Sequence, residues 1–175
     1  MVSNIKALFF DRDGTIIKSN ISKNRKPQAI KELKECKIFP SAKKILNQLK
    51  KDYLIFLITN QPDVGRGKNT KKNVNQINKF LKKKLPIKKI YTCYCDNDKC
   101  KFRKPNSGML KDAKKKYKIN FQKSFVIGDR WKDIETGKKV NCKTIFIDRK
   151  YNEKLKSKPN YTIKKLSQVI QIIKS

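Results

Sequence analysis

Apolar residues run along this chain in short blocks separated by longer amphipathic stretches. The blocks at 5–10, 53–58, 89–93, 124–127 and 144–147 predict short strands. Several lack polar alternation, as strands buried on both faces do. Residues 41–51, 70–84, 107–116, 132–140 and 161–174 carry apolar positions at helical spacing. The last stretch puts Ile163, Leu166, Val169, Ile170 and Ile173 on one face. Pro40-Ser41 and Asn69-Thr70 are helix-start signals. Alternation of strand and helix predicts the α/β class, a doubly wound parallel sheet with helices on both sides. Ligands of such sheets bind beyond the carboxyl ends of the strands. The polar, less regular stretch 16–39 is expected to form a small flap and is too short for a large cap. No internal repeat is evident, and residues 1–175 are expected to form a single domain.

The predicted strand ends carry the unusual residues. The first strand stops at Asp11-Arg12-Asp13-Gly14-Thr15, the second at Thr59-Asn60-Gln61. Arg103-Lys104-Pro105 follows the third strand after a loop, and Gly128-Asp129-Arg130-Trp131-Lys132-Asp133 follows the fourth. Side chains at i and i+2 of extended chain point the same way. Asp11 and Asp13 would therefore repel one another unless a cation sat between them. A carboxylate beside a metal ion can also attack phosphorus and form an aspartyl-phosphate. Taken singly, each motif has a structural alternative. Asp-x-Asp-Gly could be a surface turn, Thr-Asn-Gln a helix cap region, Lys104 one solvated lysine among many, and Asp133 a first-turn helix residue. A calcium loop is a poorer fit, because the glycine comes early and the downstream Glu is missing. Together, and in this order, the motifs supply carboxylates for a cation, a hydroxyl and an amide for phosphate oxygens, and a fixed positive charge. Phosphoryl transfer needs little else.

Composition narrows the chemistry. The chain has 46 Lys+Arg against 14 Asp+Glu, a formal charge of +32, and no histidine. Every mechanism that needs a histidine base, nucleophile or ligand is excluded. The charge favours polyanions or phosphorylated metabolites, but the lysines are spread along the chain and fit a compositional bias as well. Weak, non-specific nucleic-acid binding is the expectation. No stretch is apolar enough to span a membrane, and no signal-type segment opens the chain. A cytoplasmic, monomeric protein is expected. Five cysteines, three of them clustered, fit a reducing compartment and a metal better than a disulfide framework.

Residues 5–148 resemble the haloacid dehalogenase (HAD) superfamily of phosphotransferases. Phe10 to Thr15 is similar to its first motif, and Thr59, Lys104 and Gly128-Asp129 through Asp133 to the other three. The resemblance implies Asp11 as nucleophile and Asp13 as general acid/base. It implies Mg2+ held by Asp11, the Asp13 backbone carbonyl and Asp129, with Asp133 in support. Thr59, Asn60 and Lys104 would contact the transferring phosphoryl group. Thr59 through Gly67, with Arg66, and Arg103 through Met109 resemble the group containing heptose 1,7-bisphosphate and histidinol-phosphate phosphatases. By that resemblance Arg103 and Arg66 would recognise substrate.

The cysteines depart from that group, which often holds structural zinc through Cys-x-His and then Cys-x-Cys before Arg-Lys-Pro. Here the matching residues are Cys93-Tyr94-Cys95 and Cys100-Lys101-Phe102. Three thiols remain where structural zinc takes four ligands. Asp96 or Asp98 could complete a Zn2+ site, and the positive surroundings are expected to lower the thiol pKa values. The leading expectation is a Mg2+-dependent phosphatase of a small phosphorylated metabolite, a sugar phosphate or bisphosphate. The alternatives are a polynucleotide 3'-phosphatase, which Gly65-Arg66-Gly67-Lys68 and Phe102-Arg103-Lys104-Pro105 also resemble, and a non-catalytic binding protein of the same fold.

Overall fold

A computed structural model describes residues 4–175. Six strands form one parallel sheet: β1 (Ala7–Phe10), β4 (Leu54–Asn60), β5 (Lys89–Cys93), β6 (Phe125–Gly128), β7 (Lys143–Ile147) and β8 (Tyr161–Ile163). Their order across the sheet is β5-β4-β1-β6-β7-β8. Phe9 pairs with Phe56 on one side and Val126 on the other. All four residues of β1 are buried, which explains its unbroken apolar run.

Alternate residues of the strands feed two cores. Leu8, Phe10, Leu57 and Ile127 pack with α1 (Ala42–Leu49), α3 (Lys71–Lys84) and α6 (Val169–Lys174). Ala7, Phe9, Phe56 and Val126 pack with Met109, Leu110 and Ala113 of α4 (Gly108–Tyr117). Helix α5 (Trp131–Lys138) lies against the Val126 side, where Gly137 allows close approach. Ala42, Ile45, Leu46 and Leu49 are the buried stripe of α1, the spacing of a helix with one wet face. Thr70 caps α3 by accepting from the Asn73 amide at 3.1 Å, as its position in the sequence predicts.

One element differs from expectation. Residues 161–174 are not one helix. Tyr161–Ile163 adds a strand beside β7, a 3-10 turn follows at Leu166–Gln168, and only Val169–Lys174 is α-helical. Ile163, Leu166 and Val169 are all buried, so the apolar positions face the core although the helix is short. A short β-branched segment beside an open sheet edge gains more from pairing than from a helical turn. The flap region contains a hairpin of β2 (Asn20–Ile21) and β3 (Pro27–Gln28), which borders the carboxyl end of the sheet. Among the described residues, no helix is long and apolar enough to cross a membrane.

Candidate active site

Three adjacent central strands end together and deliver the chemistry. Asp11 follows β1, and its amide donates to the Ile127 carbonyl of β6 at 2.8 Å. Thr59 and Asn60 close β4, and Asp129 follows β6. Asp133 stands in the first turn of α5, where its carboxylate accepts from the Arg130 amide at 3.1 Å. Lys104 reaches in from the loop after β5. Asn60 fixes that loop by donating to the Lys104 carbonyl at 2.9 Å and accepting from the Lys104 amide at 3.0 Å. The Asn60 side chain is thus bonded to the Lys104 backbone while it also lines the pocket beside Thr59 and Lys104.

The Lys104 ammonium is buried and triply satisfied. It donates to Asp11 Oδ1 at 2.7 Å, Asp133 Oδ1 at 2.6 Å and the Ile58 carbonyl at 2.9 Å. Burial alone would lower its pKa, but Asp11 and Asp133 outweigh that and hold it above its ordinary value. Burial pushes Asp11 up to about 6 against the pull of Lys104, with Asp133 and Asp13 adding repulsion. Asp129 is raised well above the ordinary carboxylate range, by burial first and then by Asp11 and Asp133.

Asp11, Asp129 and Asp133 each place a carboxylate oxygen within 4.8 Å of the others. Asp129 Oδ1 accepts from the Thr15 hydroxyl at 3.0 Å. The Tyr151 hydroxyl lies close enough to ease the Asp129 charge, yet the buried Asp129 Oδ2 has no partner of hydrogen-bond geometry. An orphaned carboxylate oxygen among other carboxylates is the donor set that a hard cation requires. Asp13 is not in this cluster. Its carboxylate turns to Arg12, Gln61 and Thr59, so the idea of a cation between the Asp11 and Asp13 side chains is corrected. Arg12 neutralises Asp13 instead.

A pocket lined by Asp11, Asp13, Thr59, Lys104 and the hairpin residues Pro27 and Gln28 opens into a basic cleft of about 480 Å³. Arg66, Lys68, Arg103, Arg130 and Lys132 line the cleft. Arg103 is held there by Asp98 Oδ1 at 2.8 Å and the Cys95 carbonyl at 2.9 Å. Arg66 is tied to Asp96 at 2.5 Å. Burial and the neighbouring Arg103 push the Lys132 pKa down, a sign of crowded cations that an anion would relieve.

The three clustered thiols also come together. Cys93 and Cys100 sulfurs lie 3.8 Å apart, and those of Cys95 and Cys100 lie 2.6 Å apart. Asp96 is engaged by Arg66, and Asp98 by Arg103 and Lys132, and among the described residues the ligand atoms that gather there within 4.8 Å are those of the three thiols alone. The expected lowering of the thiol pKa values holds for Cys100 alone among the three. Burial pushes Cys93 up to about 12, and hydrogen bonding to Cys100 raises Cys95.

The family model described as "Polynucleotide kinase 3 phosphatase" matches residues 6–171. The chain belongs to the HAD-like phosphatases. It is 32% identical over 148 residues to the D-glycero-alpha-D-manno-heptose-1,7-bisphosphate 7-phosphatase of Campylobacter jejuni, covering 81% of each chain. It is 29% identical over 187 residues to the D-glycero-beta-D-manno-heptose-1,7-bisphosphate 7-phosphatase of Pasteurella multocida, covering 97% of each. Among solved structures, the D,D-heptose 1.7-bisphosphate phosphatase of B. bronchiseptica, complexed with magnesium and phosphate, superposes with a TM-score of 0.80 at 22% identity. That match covers 97% of this chain and 99% of the other, and it identifies the HAD fold.

Arg12, Gln61, Asn78 and Tyr151 are the site residues that sequence reasoning passed over. A signal existed for Arg12, which sits between two aspartates directly after an all-apolar strand. None existed for Asn78 or Tyr151, which meet the site only through the fold.

Proposed function

We propose that this HAD-like phosphatase hydrolyses a small sugar phosphate or bisphosphate, of the heptose 1,7-bisphosphate kind, through an aspartyl-phosphate on Asp11. The observation that carries the reading is the buried group of Asp11, Asp129 and Asp133, bridged on one side by Lys104 and left with an orphaned oxygen on the other.

In this mechanism Asp11 attacks phosphorus, and the bond from phosphorus to the substrate oxygen breaks. Asp13 gives its proton to the departing oxygen. Water then attacks the phosphorus of the aspartyl-phosphate while Asp13 takes its proton, freeing phosphate and Asp11. Lys104 holds Asp11 in line and offers positive charge to the phosphoryl oxygens, and the Thr59 hydroxyl borders the same pocket. Asn60 acts by fixing Lys104. Asp11, the Asp13 backbone carbonyl and Asp129 would hold Mg2+, with Asp133 in support. Bound there, the ion neutralises carboxylates that would otherwise repel the substrate.

The basic cleft supports a substrate with a second anionic group, with Arg66 and Arg103 in its wall. Cys93, Cys95 and Cys100 offer three thiolates to a structural Zn2+. The 3.8 Å between the Cys93 and Cys100 sulfurs suits two ligands at about 2.3 Å in a tetrahedron, whereas the Cys95 and Cys100 sulfurs, 2.6 Å apart, would have to separate to hold the same ion.

The matched family model's description favours a second reading, 3'-phosphate removal from nucleic-acid ends. One experiment separates the two: turnover with Mg2+ across sugar mono- and bisphosphates and a 3'-phosphorylated oligonucleotide. Efficient turnover of the bisphosphate with little release from the oligonucleotide is the expected result. The reverse pattern overturns it.

A further inference from the structure

Arg12 is fully buried, the largest side chain among the described residues to be so. A buried guanidinium is costly unless its donors are matched. Here they are matched largely by one carboxylate. Nε donates to Asp13 Oδ2 at 2.9 Å and Nη2 to Asp13 Oδ1 at 3.3 Å. Nη1 donates to Asn78 Oδ1 of α3 at 2.9 Å, and Asn78 Nδ2 donates on to the Thr92 hydroxyl of β5 at 3.1 Å. A continuous chain of polar contacts thus ties Asp13 to the far side of β4.

Asp13 has further neighbours. Gln61 Nε2 donates to Oδ2 at 2.9 Å and to the Thr59 hydroxyl at 2.8 Å. The Ile30 amide, next to the hairpin, lies 3.4 Å from Oδ1. The Asp13 carboxylate is therefore held from several directions, outside the Asp11–Asp129–Asp133 cluster and in the wall of the phosphoryl pocket.

We propose that Arg12 is a positioning residue, anchored through Asn78 and Thr92, which fixes the direction in which Asp13 faces the phosphoryl pocket. The proposal rests on the reading of Asp13 as proton carrier. Arg12 touches no substrate and acts only through Asp13. A guanidinium suits the task because its planar fork grips both carboxylate oxygens, which a lysine cannot do.

The test is a double-mutant cycle with p-nitrophenyl phosphate and saturating Mg2+, reading kcat and KM separately. Arg12→Met should lower kcat about 10- to 100-fold, as misplacement of a reacting group does, with KM little changed. In the Asp13→Asn background the same substitution should cost no more than about 2-fold, the usual scatter of independent effects. Arg12→Lys should recover only part of the loss. Asn78→Ala, at a half-buried helix position, keeps the test open if Arg12→Met does not fold. It should lower kcat several-fold in the wild-type background and leave it unchanged in the Asp13→Asn background. Equal losses in both backgrounds would mean a general structural role and overturn the proposal. Full turnover by Asp13→Asn alone would instead sink the reading of Asp13, and the Arg12 role with it.

Discussion

Lys104 Nζ lies 2.7 Å from Asp11 Oδ1, and both groups are almost fully buried. The pair sets the charge balance of the site, because Asp133 shares the same ammonium. Lys104→Met should leave three crowded carboxylates uncompensated. It should cost about 3–5 kcal/mol, as loss of one partner from a buried ion pair does, and reduce turnover by at least about 100-fold. Urea denaturation and steady-state kinetics check the two parts. A stable variant with near-normal turnover would show that the ammonium is dispensable.

Asp11→Asn should abolish phosphatase activity while the cooperative melt survives. The amide can still accept from Lys104, but it cannot attack phosphorus. Trapping labelled phosphate on the acid-quenched protein gives the sharper measurement. Label should be retained by the wild type and absent from the variant.

Chelation should abolish turnover and Mg2+ restore it, and the same ion should raise stability in a pH-dependent way. The folded-state pKa of Asp11 is raised to about 6 and that of Asp129 is raised as well. Between the ordinary carboxylate range near 4 and those values, the folded state binds more protons than the unfolded chain. Stability of the metal-free protein from Asp11 is therefore fully present below about pH 4 and is lost as pH rises through about 6, and Asp129 acts in the same direction. A cation bound by the ionised groups reverses the trend. At pH 7, Mg2+ at 100 times its dissociation constant should add about 2.7 kcal/mol, roughly 5–10 °C in melting temperature, and much less at pH 4.5. Calorimetry with and without chelator measures it, and an equal Mg2+ effect at both pH values would contradict this account.

Gly14 has φ +84°, and a Cβ built there would lie 1.9 Å from Asp129 Oδ2. Gly14→Ala should push Asp129 out of place and strain the turn by about 1–3 kcal/mol. The apparent Mg2+ affinity, read from activity titrations, should fall by at least about 10-fold. An unchanged titration would mean that Asp129 does not hold the ion.

Oligonucleotides should bind at low salt and dissociate near physiological ionic strength with a steep logarithmic slope, since the contacts are lysines meeting phosphates. Fluorescence anisotropy across a salt series measures this. Tight binding that persists at physiological salt and prefers a 3'-phosphorylated end would point to the polynucleotide reading.

Much of the fold was legible because β1, β4 and β6 are all-apolar runs that end abruptly in polar motifs. Their burial on both faces leaves no other reading of residues such as Phe9 and Phe56. The carboxyl-end location of Asp11, Thr59 and Asp129 follows from that alone. Three things were hidden. Ile163, Leu166 and Val169 share a helical spacing, but backbone pairing with β7 made the first of them a strand residue. Arg12 carried no role in the sequence reading, and only the fold reveals that it pairs with Asp13 in the interior. The availability of Asn60, Asp96 and Asp98 was equally invisible, because their partners Lys104, Arg66 and Arg103 arrive from distant or looped segments.

Four of the 14 acidic residues, Asp11, Asp13, Asp129 and Asp133, meet in this one place on a chain of net charge +32. Two buried cations, Lys104 and Arg12, stand among them, fewer than the four carboxyl groups they face. The molecule therefore carries a negative well inside a positive shell. A phosphorylated compound is drawn to the shell from any direction, but the well repels it. Filling the well with a divalent cation inverts that local field and turns general attraction into a directed path. In the proposed mechanism the ion would govern entry as well as reaction, and the lysine-rich surface would concentrate substrate usefully only around protein that has its metal.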